Sequence, residues 1–208
     1  MAGLGVLDPT SVAGQPVPYA GSFLLDAEGR IQAKFFEADT EYRRTAASIL
    51  SLAERPAGGA AIAAAHFTAR PWASNEAIAP GQRFTLGVDL ELKPGWHAYA
   101  PGARGYRGLD LTIDGDPLFE PGALRVPPPR LLFFAPLNET VPVLEGTLRV
   151  ARDMTQKFRV ALKRLRDGPE VKAPITGTLL YQVCSDRVCH PPASMPLRWA
   201  VTIRPWTR

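Results

Sequence analysis

The two cysteines of the chain lie close together in the stretch YQVCSDRVCHPP, which runs from residue 181 to residue 192. Cys184 and Cys189 are separated only by Ser-Asp-Arg-Val, and His190 follows directly. Thiol–disulfide exchange needs an accessible sulfur, a leaving thiol and a nearby second cysteine that can resolve a mixed disulfide. A cysteine pair in a short turn meets these needs, and Arg187 and His190 could stabilise a thiolate through their positive charge.

Two other roles compete with exchange. A permanent disulfide across so small a ring would remove little chain entropy, about 2 kcal/mol against about 3 kcal/mol for a loop of about 15 residues. A metal site would have only Cys184, Cys189 and His190 as ligands, with no second Cys/His cluster in the sequence to complete a tetrahedron. A solvated turn charge is the simpler alternative for Arg187, and a surface ring packed on Pro191 is the simpler alternative for His190. We predict neither a metal nor an organic cofactor.

Composition bounds the kind of protein. The 208 residues are 46% hydrophobic and 21% charged, which is typical of a globular protein with a sizeable core. A net charge of only +4 without a long basic run argues against a nucleic-acid partner. No segment has the run of about 18 apolar residues that spans a membrane. The N-terminus lacks the regions of a secretory signal, so we expect a cytoplasmic protein or one whose leader lay upstream, and the cysteine pair favours an oxidising compartment.

Alternating apolar residues predict a β-rich region. FTLGVDLEL (84–92) gives the clearest pattern, because its apolar residues occupy one face and Thr85, Asp89 and Glu91 the other. The other predicted strands are LDLTI (109–113), GTLRV (146–150), FRVALKRL (158–165), ITGTLLYQVC (175–184) and PLRWAVTI (196–203). Many short strands, abundant proline and glycine, and the lack of a convincing helix predict an antiparallel β-sandwich.

The first part of the chain follows a different pattern. GSFLLDAEGRIQAKFF (21–36) predicts a β-hairpin, and TEYRRTAASILSLAER (40–55) predicts a helix with Thr40 as its N-cap. The small residues of 56–65 predict a flexible linker. So short an N-terminal unit cannot bury a core of its own, and we expect it to be held loosely. The predicted units are 1–56 for the hairpin and helix, 57–71 for the linker and 72–208 for the sandwich.

The segment from about Trp72 to Ile203 resembles the N-terminal, periplasmic domain of the DsbD family of thiol:disulfide interchange proteins. Three stretches carry the resemblance: LELKPGWHAYAPG (90–102), NETVPVLEGTLRV (138–150) and YQVCSDRVCHPP (181–192). The last is the most specific, because Tyr-Gln, both cysteines and Pro-Pro coincide. The family fold is an immunoglobulin-like β-sandwich, so the resemblance implies the fold class that the periodicity predicts independently.

The resemblance also implies roles for individual residues. Cys189 would form the intermolecular disulfide, and Cys184, at the end of an apolar strand, would resolve it. His97 and Tyr99 match positions where the family places aromatic side chains beside the cysteines. Without the family, Tyr99 and its neighbour Trp96 would be core aromatics at a strand end. The further residues expected around the cysteines are Tyr181, Gln182, Arg187 and His190.

A loop that covers the cysteines is expected near FFAPLN (133–138), by the same resemblance. Phe134 or Leu137 would be the apolar shield of this loop. The family usually has an aromatic residue there.

The N-terminal stretch VPYAGSFLLDAEGRIQAKFFE (17–37) resembles the last two strands of a redoxin of the AhpC/TSA type, within the thioredoxin superfamily. The helix after it would be the closing helix of that fold. Two departures matter: Ala20 stands where the family has a cis-proline, and the catalytic half with its nucleophilic cysteine is missing. The resemblance implies a partial thioredoxin-like fold, the remnant of a redoxin–sandwich fusion truncated at its start.

These observations favour a redox-transfer module, which by resemblance would be periplasmic. The module would accept electrons from a thioredoxin-like donor through Cys184 and Cys189 and pass them to an oxidised thiol protein, as a protein-disulfide reductase does. One alternative is a β-sandwich binding module with a purely structural disulfide. Another is an accessory part of a redoxin-type antioxidant enzyme, although no cysteine precedes Cys184 as a peroxidatic nucleophile.

Overall fold

Strands make up most of the computed structural model, which describes residues 7–8, 17–18, 20–37, 42–51, 58–165 and 169–205. The strands are β1 (Leu7–Asp8), β2 (Val17–Pro18), β3 (Ala20–Leu25), β4 (Ile31–Glu37), β5 (Arg43–Arg44), β6 (Ile62–Ala63), β7 (Phe67–Ala73), β8 (Ala77–Ile78), β9 (Gln82–Leu92), β10 (His97–Tyr99), β11 (Asp110–Ile113), β12 (Phe119–Arg125), β13 (Arg130–Phe134), β14 (Glu139–Glu145), β15 (Thr147–Gln156), β16 (Val171–Tyr181), β17 (Val183–Cys184) and β18 (Ala193–Ile203). Helices α1 and α2 span Ala46–Leu50 and Phe158–Leu165, and a short 3-10 helix spans Ala135–Leu137. No helix in the described part of the chain is long and apolar enough to cross a membrane.

Two largely antiparallel sheets form a sandwich. One has the strand order β12-β15-β9-β7-β6 and the other the order β11-β16-β18-β8. Apolar side chains from both sheets, among them Phe84, Val88, Leu179 and Leu197, form one buried core. Because alternate residues of a strand point to one face, the alternation in 84–92 delivers its apolar side chains to this core. The predicted immunoglobulin-like β-sandwich is confirmed.

Gly87, in the middle of β9, contacts two tryptophan side chains. The indole N–H of Trp199, on β18 of the opposite sheet, donates to the Gly87 carbonyl at 2.9 Å. A Cβ atom at position 87 would lie 2.3 Å from the ring of Trp72 on the neighbouring strand. Only glycine therefore leaves room for the Trp72 ring against the backbone of β9.

The prediction of a strand for FRVALKRL is wrong, because these residues form helix α2. The sequence fits both patterns: Phe158, Val160 and Leu162 alternate, but apolar residues also recur at Ala161 and Leu165 with helical spacing. The stretch is rich in Leu, Lys, Arg and Ala, which favour helices. Ala161 is fully buried in the sandwich core, so the packing supports the helix.

The N-terminal hairpin is confirmed, but the helix after it is shorter than predicted. Strands β3 and β4 pair antiparallel, and Asp26 closes the turn by accepting the backbone N–H of Arg30 at 2.8 Å. Thr45, rather than the predicted Thr40, caps α1, because its hydroxyl accepts the Ser48 N–H at 3.0 Å. Thr40 and residues 52–55 lie outside the described residues. The predicted helix fails at its start because Arg43–Arg44 instead pair in parallel with β9.

The segment 42–51 covers the polar face of β9. The Ser48 and Thr85 hydroxyls are hydrogen-bonded at 2.8 Å, and both side chains are fully buried. Arg44 forms an ion pair of 2.9 Å with Asp153 of β15. Contrary to the expected loose attachment, this part of the N-terminal region is tied to the sandwich through buried polar contacts.

The stretch predicted as a linker, 57–71, contains strand β6 and most of β7. Strand β7 is an inner strand of the first sheet, paired with β9 from Phe67 to Ala73. The sheet therefore begins before Trp72, while the division of the chain into units stays a prediction.

We predict that Asp153→Ala lowers the free energy of unfolding by about 2 kcal/mol, since it leaves partly buried arginines unpaired. The carboxylate accepts from Arg44 and Arg125 at 2.9 Å each and from the Thr85 hydroxyl at 3.1 Å. Urea denaturation at about pH 7 measures the loss. Glu91→Gln, an exposed change on β9, is the control and should alter stability little.

The ion pairs of Asp153 also predict that the free energy of unfolding decreases at acidic pH. Burial alone would raise the pKa of Asp153, but the bonds from Arg44, Arg125 and Thr85 outweigh it and hold the pKa below its ordinary value. The contribution is therefore present above the unfolded pKa of about 3.9 and is lost as the pH falls through the lower folded pKa. Asp153→Asn should flatten this part of the stability curve. An equally steep curve in the variant would contradict the assignment.

Candidate functional site

Strand β10 joins the cysteine segment to a hairpin, because it pairs with both. On one side His97 lies opposite Cys184 of β17, and on the other side His97 lies opposite Glu145 of β14. Strand β14 pairs in turn with β13, so the site sheet has the order β13-β14-β10-β17. All three residues of β10 are buried. Pairing on both edges satisfies their backbone groups, which burial requires.

The cysteine segment is a tight turn. A disulfide joins Cys184 and Cys189, whose Cα atoms lie 4.1 Å apart. Within the turn, the Ser185 N–H donates to the Val188 carbonyl at 2.8 Å, and the Ser185 hydroxyl accepts the Val188 N–H at 3.1 Å. Ser185 thus closes the turn between the two cysteines, because the four-residue spacer brings Val188 within reach of both of its polar groups.

The two sulfurs of this pair have different surroundings. Cys184 is only 2% exposed and packs with Tyr99, Val141 and Val143. Cys189 is exposed, and its Sγ lies 3.5 Å from Gln182 Nε2 and 3.8 Å from the Tyr99 hydroxyl. Since a disulfide sulfur carries no hydrogen, both groups act as donors toward Cys189. A thiolate from outside the protein can reach only the Cys189 sulfur directly.

The hairpin β13–β14 covers the disulfide, where the sequence predicts a shielding loop. Its side chains enclose a cavity of about 300 Å³ that both cysteines line. Phe134, at the end of β13, and Leu137, in the 3-10 helix, both line this cavity, so the structure brings the two predicted cap residues to the cysteines. The turn into β14 closes at Asn138 with φ of 51°, a left-handed conformation that asparagine tolerates well.

Two tyrosines and a glutamate form one wall of the cavity. Tyr99, predicted at the site, stacks on Tyr106 with ring centroids 4.0 Å apart, and the Tyr106 hydroxyl donates to Glu139. The hydrogen bond to Glu139 and burial raise the pKa of Tyr106, and burial raises that of Tyr99. Both phenols therefore stay protonated at neutral pH, and the Tyr99 hydroxyl, unlike that of Tyr106, can donate to the Cys189 sulfur. Tyr106 and Glu139 were not among the predicted site residues, and only the aromatic side chain in the glycine-rich stretch 102–108 hinted at the tyrosine.

His97, one of the residues predicted beside the cysteines, is buried next to this wall, with its ring edge-on to Tyr99 at a centroid distance of 5.6 Å. Burial lowers the pKa of His97, so the imidazole is neutral at neutral pH. Its neighbour Glu145 accepts two hydrogen bonds from Arg130, at 2.9 and 2.6 Å. These bonds hold the pKa of Glu145 below its ordinary value. A neutral imidazole cannot supply the positive charge that favours a thiolate.

Of three further predicted site residues, the structure brings Gln182 and Arg187 to the disulfide cavity but not Tyr181. Gln182 is buried and contacts the Cys189 sulfur. Arg187 lines the cavity, but its side chain is largely exposed and lies 3.8 Å from Asp186. Tyr181 lies away from the disulfide cavity and packs edge-on against Phe67 at 5.0 Å.

His190 belongs to an aromatic stack outside the cavity. Its ring lies on that of His66 at 4.5 Å, and His66 stacks on Trp96 at 3.6 Å. Burial and the nearby positive charges of His190 and Lys93 lower the pKa of His66. His66 was not among the predicted site residues, because nothing local in the sequence connects residue 66 to residue 190.

No group of three or more His, Cys, Asp or Glu side chains that could hold a metal ion occurs within the described ranges. The chemistry that the site offers is therefore that of the sulfurs themselves, with hydrogen-bond donors around one of them.

The part of the chain that forms this site matches a known protein family. The family described as "Thiol:disulfide interchange protein DsbD, N-terminal" matches residues 68–195. No curated protein matches the chain. Two solved structures are similar: the N-terminal periplasmic domain of ScsB from Proteus mirabilis, with 13% identity over 67% of this chain and 46% of that chain and a TM-score of 0.38, and the reduced N-terminal domain of DsbD from Neisseria meningitidis, with 18% identity over 58% of this chain and 82% of that chain and a TM-score of 0.36. The chain thus spans about half of the ScsB chain.

The matched residues make up more than half of the chain and contain the cysteine turn, strand β10 and the covering hairpin. The chain belongs to the family of DsbD N-terminal domains, the thiol:disulfide interchange proteins.

Proposed function

We propose that this chain relays electrons from a thioredoxin-like donor protein to an oxidised thiol protein through Cys184 and Cys189. The observation that carries the proposal is the asymmetry of the two sulfurs. Cys189 is exposed and accepts hydrogen bonds from Gln182 and Tyr99, whereas Cys184 is buried behind it. Exchange needs one accessible sulfur and one that resolves the mixed disulfide from within.

The relay has two half-reactions, and each passes through a mixed disulfide between Cys189 and a partner protein. In reduction of the chain, a donor thiolate attacks Cys189 Sγ, the bond between the cysteines breaks, and Cys184 leaves as a thiolate. The donor's second thiolate then attacks the donor sulfur that is bonded to Cys189. This step forms a disulfide within the donor and releases Cys189 as a thiolate. Two electrons enter the pair, and two protons from solvent complete the thiols. In delivery, the Cys189 thiolate attacks the acceptor disulfide, and Cys184 then displaces the reduced acceptor.

A protein partner is supported by the apolar surface around the exposed sulfur. Leu137 and Val188, which line the cavity with the disulfide, are exposed by 62% and 50%. Apolar side chains grouped around a reactive atom favour contact with another protein surface. DsbD N-terminal domains are periplasmic, and we propose the same compartment here. We also propose, from its sequence resemblance alone, that residues 1–56 derive from a redoxin of the AhpC/TSA type.

The rival function is a binding module in which the disulfide is static. A glutathione redox titration separates the two, because a structural disulfide has a potential below about −300 mV and an exchanging disulfide lies above it. We expect the Cys184–Cys189 bond to lie above that value.

The assignment of the sulfurs predicts which variant traps a partner. Cys184→Ser should accumulate a mixed disulfide with an oxidised thioredoxin-fold protein, because Cys189 can attack but nothing within the chain can resolve the product. Cys189→Ser should abolish exchange and trap nothing, since the remaining sulfur is buried. A non-reducing gel measures both, and a partner without its cysteines is the control. Trapping by Cys189→Ser alone would reverse the roles, and no trapping with no electron transfer by the wild type would favour the static disulfide.

The covering hairpin predicts a change in access. Leu137→Ala and Phe134→Ala should each increase by several-fold the rate at which iodoacetamide alkylates the reduced protein, because both side chains line the cysteine cavity. Leu137 is 62% exposed, so its loss should change the free energy of unfolding little. Leu131→Ala, on the exposed face of the same hairpin, is the matched control and should not alter the rate. Equal rates in all variants would remove the hairpin from the mechanism.

A further inference from the structure

Gln182 is held in one orientation between β16 and β17. Its side chain is buried, and the amide oxygen accepts the backbone N–H of Arg107 at 2.9 Å. The amide nitrogen donates one hydrogen to the His190 carbonyl at 3.0 Å. Because an amide oxygen can only accept and an amide nitrogen only donate, these two backbone groups allow no rotation of the amide by half a turn.

The second hydrogen of this amide is directed at the exposed sulfur, since Gln182 Nε2 lies 3.5 Å from Cys189 Sγ. The Tyr99 hydroxyl approaches the same sulfur at 3.8 Å. No donor to the Cys184 sulfur is found among the residues that the structure describes. Hydrogen bonding to the charged form of a group favours that form, so these contacts favour a thiolate at Cys189 over one at Cys184.

We propose that Gln182 is a positioning residue for the exchange, which donates an amide hydrogen to Cys189 Sγ and thereby stabilises the thiolate of that sulfur. This inference rests on the proposed function and deepens it. A neutral, buried amide would thus stabilise the Cys189 thiolate, whereas the sequence suggests Arg187 and His190 for this role. The Arg187 side chain is 87% exposed, and the His190 ring is engaged with His66.

The charged and titratable groups that share the cavity with Cys189 are His97, Tyr99, Tyr106, Glu139, Arg187 and, in the reduced protein, the Cys184 thiol. Changes at Gln182 leave all of them in place. Burial lowers the pKa of His97 and raises that of Tyr99, and the bond to Glu139 together with burial raises that of Tyr106, so all three are uncharged at about pH 7, where the variants are compared.

The test is the pH dependence of Cys189 alkylation in the reduced full chain. Iodoacetamide reacts with the thiolate, and mass spectrometry of peptides reads Cys184 and Cys189 separately. Gln182→Glu keeps the shape and the acceptor for the Arg107 N–H but replaces the donor with a negative charge, and Gln182→Met removes the donor without adding charge. We expect alkylation of Cys189 at about pH 7 to fall by about tenfold in Gln182→Glu and less in Gln182→Met, because hydrogen bonds to charged groups are strong.

A purely structural role makes a different prediction. Loss of the donor moves the Cys189 profile to higher pH, and the rates of variant and wild type converge once the thiol is fully ionised. If the variant instead changes only access to Cys189, its alkylation rate differs from that of the wild type by the same factor at every pH. That result would overturn the proposal. The matched control is Gln82→Glu, because Gln82 also accepts a backbone N–H, from Ala79 at 2.8 Å, and its profile should equal that of the wild type.

Other outcomes separate this inference from the proposed function. Thermal unfolding of the oxidised variants checks the fold, and if neither Gln182 variant folds, the residue serves the fold and the proposal fails. An unchanged Cys189 profile in folded variants, with electron transfer by the wild type intact, would overturn the role of Gln182 alone. If the wild type passes no electrons, the proposed function fails, while the alkylation profile still reports whether Gln182 acts on the sulfur.

Discussion

The double pairing of β10 is the constraint on which the site depends. Three buried residues, His97–Tyr99, are hydrogen-bonded on one edge to β17 with its cysteine and on the other edge to the covering hairpin. A one-residue slip in either register would turn every side chain of β10 to the opposite face. His97 and Tyr99 share a face of β10, so both would then turn away from the cysteine cavity, and Ala98 would face it instead. One short strand therefore determines the relative positions of the covering hairpin, the Tyr99 hydroxyl and the disulfide.

The same strand explains why the two sulfurs differ. Cys184 is part of β17 and shares the buried environment of β10, whereas Cys189 lies beyond a turn that carries it to the surface. The turn is closed by Ser185 and returns the chain so that the His190 N–H reaches the Val183 carbonyl at 3.1 Å. Gln182, directly before β17, then lies beneath the exposed sulfur. One sulfur is thus buried in a sheet and the other is presented to solvent with donors behind it.

Both faces of the central strand β9 are covered by other parts of the chain. The apolar face of β9 builds the core, and its polar face is covered through Asp89 and Thr85 rather than left to solvent. Arg149 binds the Asp89 carboxylate with contacts of 2.9 and 3.1 Å and also donates to the Ser51 carbonyl at 2.9 Å. The N-terminal segment is thereby joined to the first sheet through charge and hydrogen bonds. Such contacts are more specific in direction than apolar packing, because each donor needs its acceptor.

The amino-acid sequence by itself determined the features that depend on near neighbours. These are the alternation in 84–92, the hairpin of 21–36 and the cysteine pair with its spacer, because the two-residue period of a strand and the reach of a short turn are local. Local spacing failed for FRVALKRL, whose apolar residues fit a strand and a helix equally, and burial of Ala161 in the core decided for the helix.

Only the tertiary structure decided which groups meet at the sulfurs. Tyr106 and Glu139 reach the cavity from two separate segments, and Gln182 finds its orienting partner at Arg107, 75 residues earlier in the chain. Strand register determines which of these distant residues come into contact. Register in turn depends on pairing between strands that are far apart in the sequence, which no local pattern encodes. The sequence therefore determined that a cysteine pair stands at the end of a strand. The fold decided which sulfur is exposed and which donors serve it, because both depend on what the neighbouring strands bring to the same place.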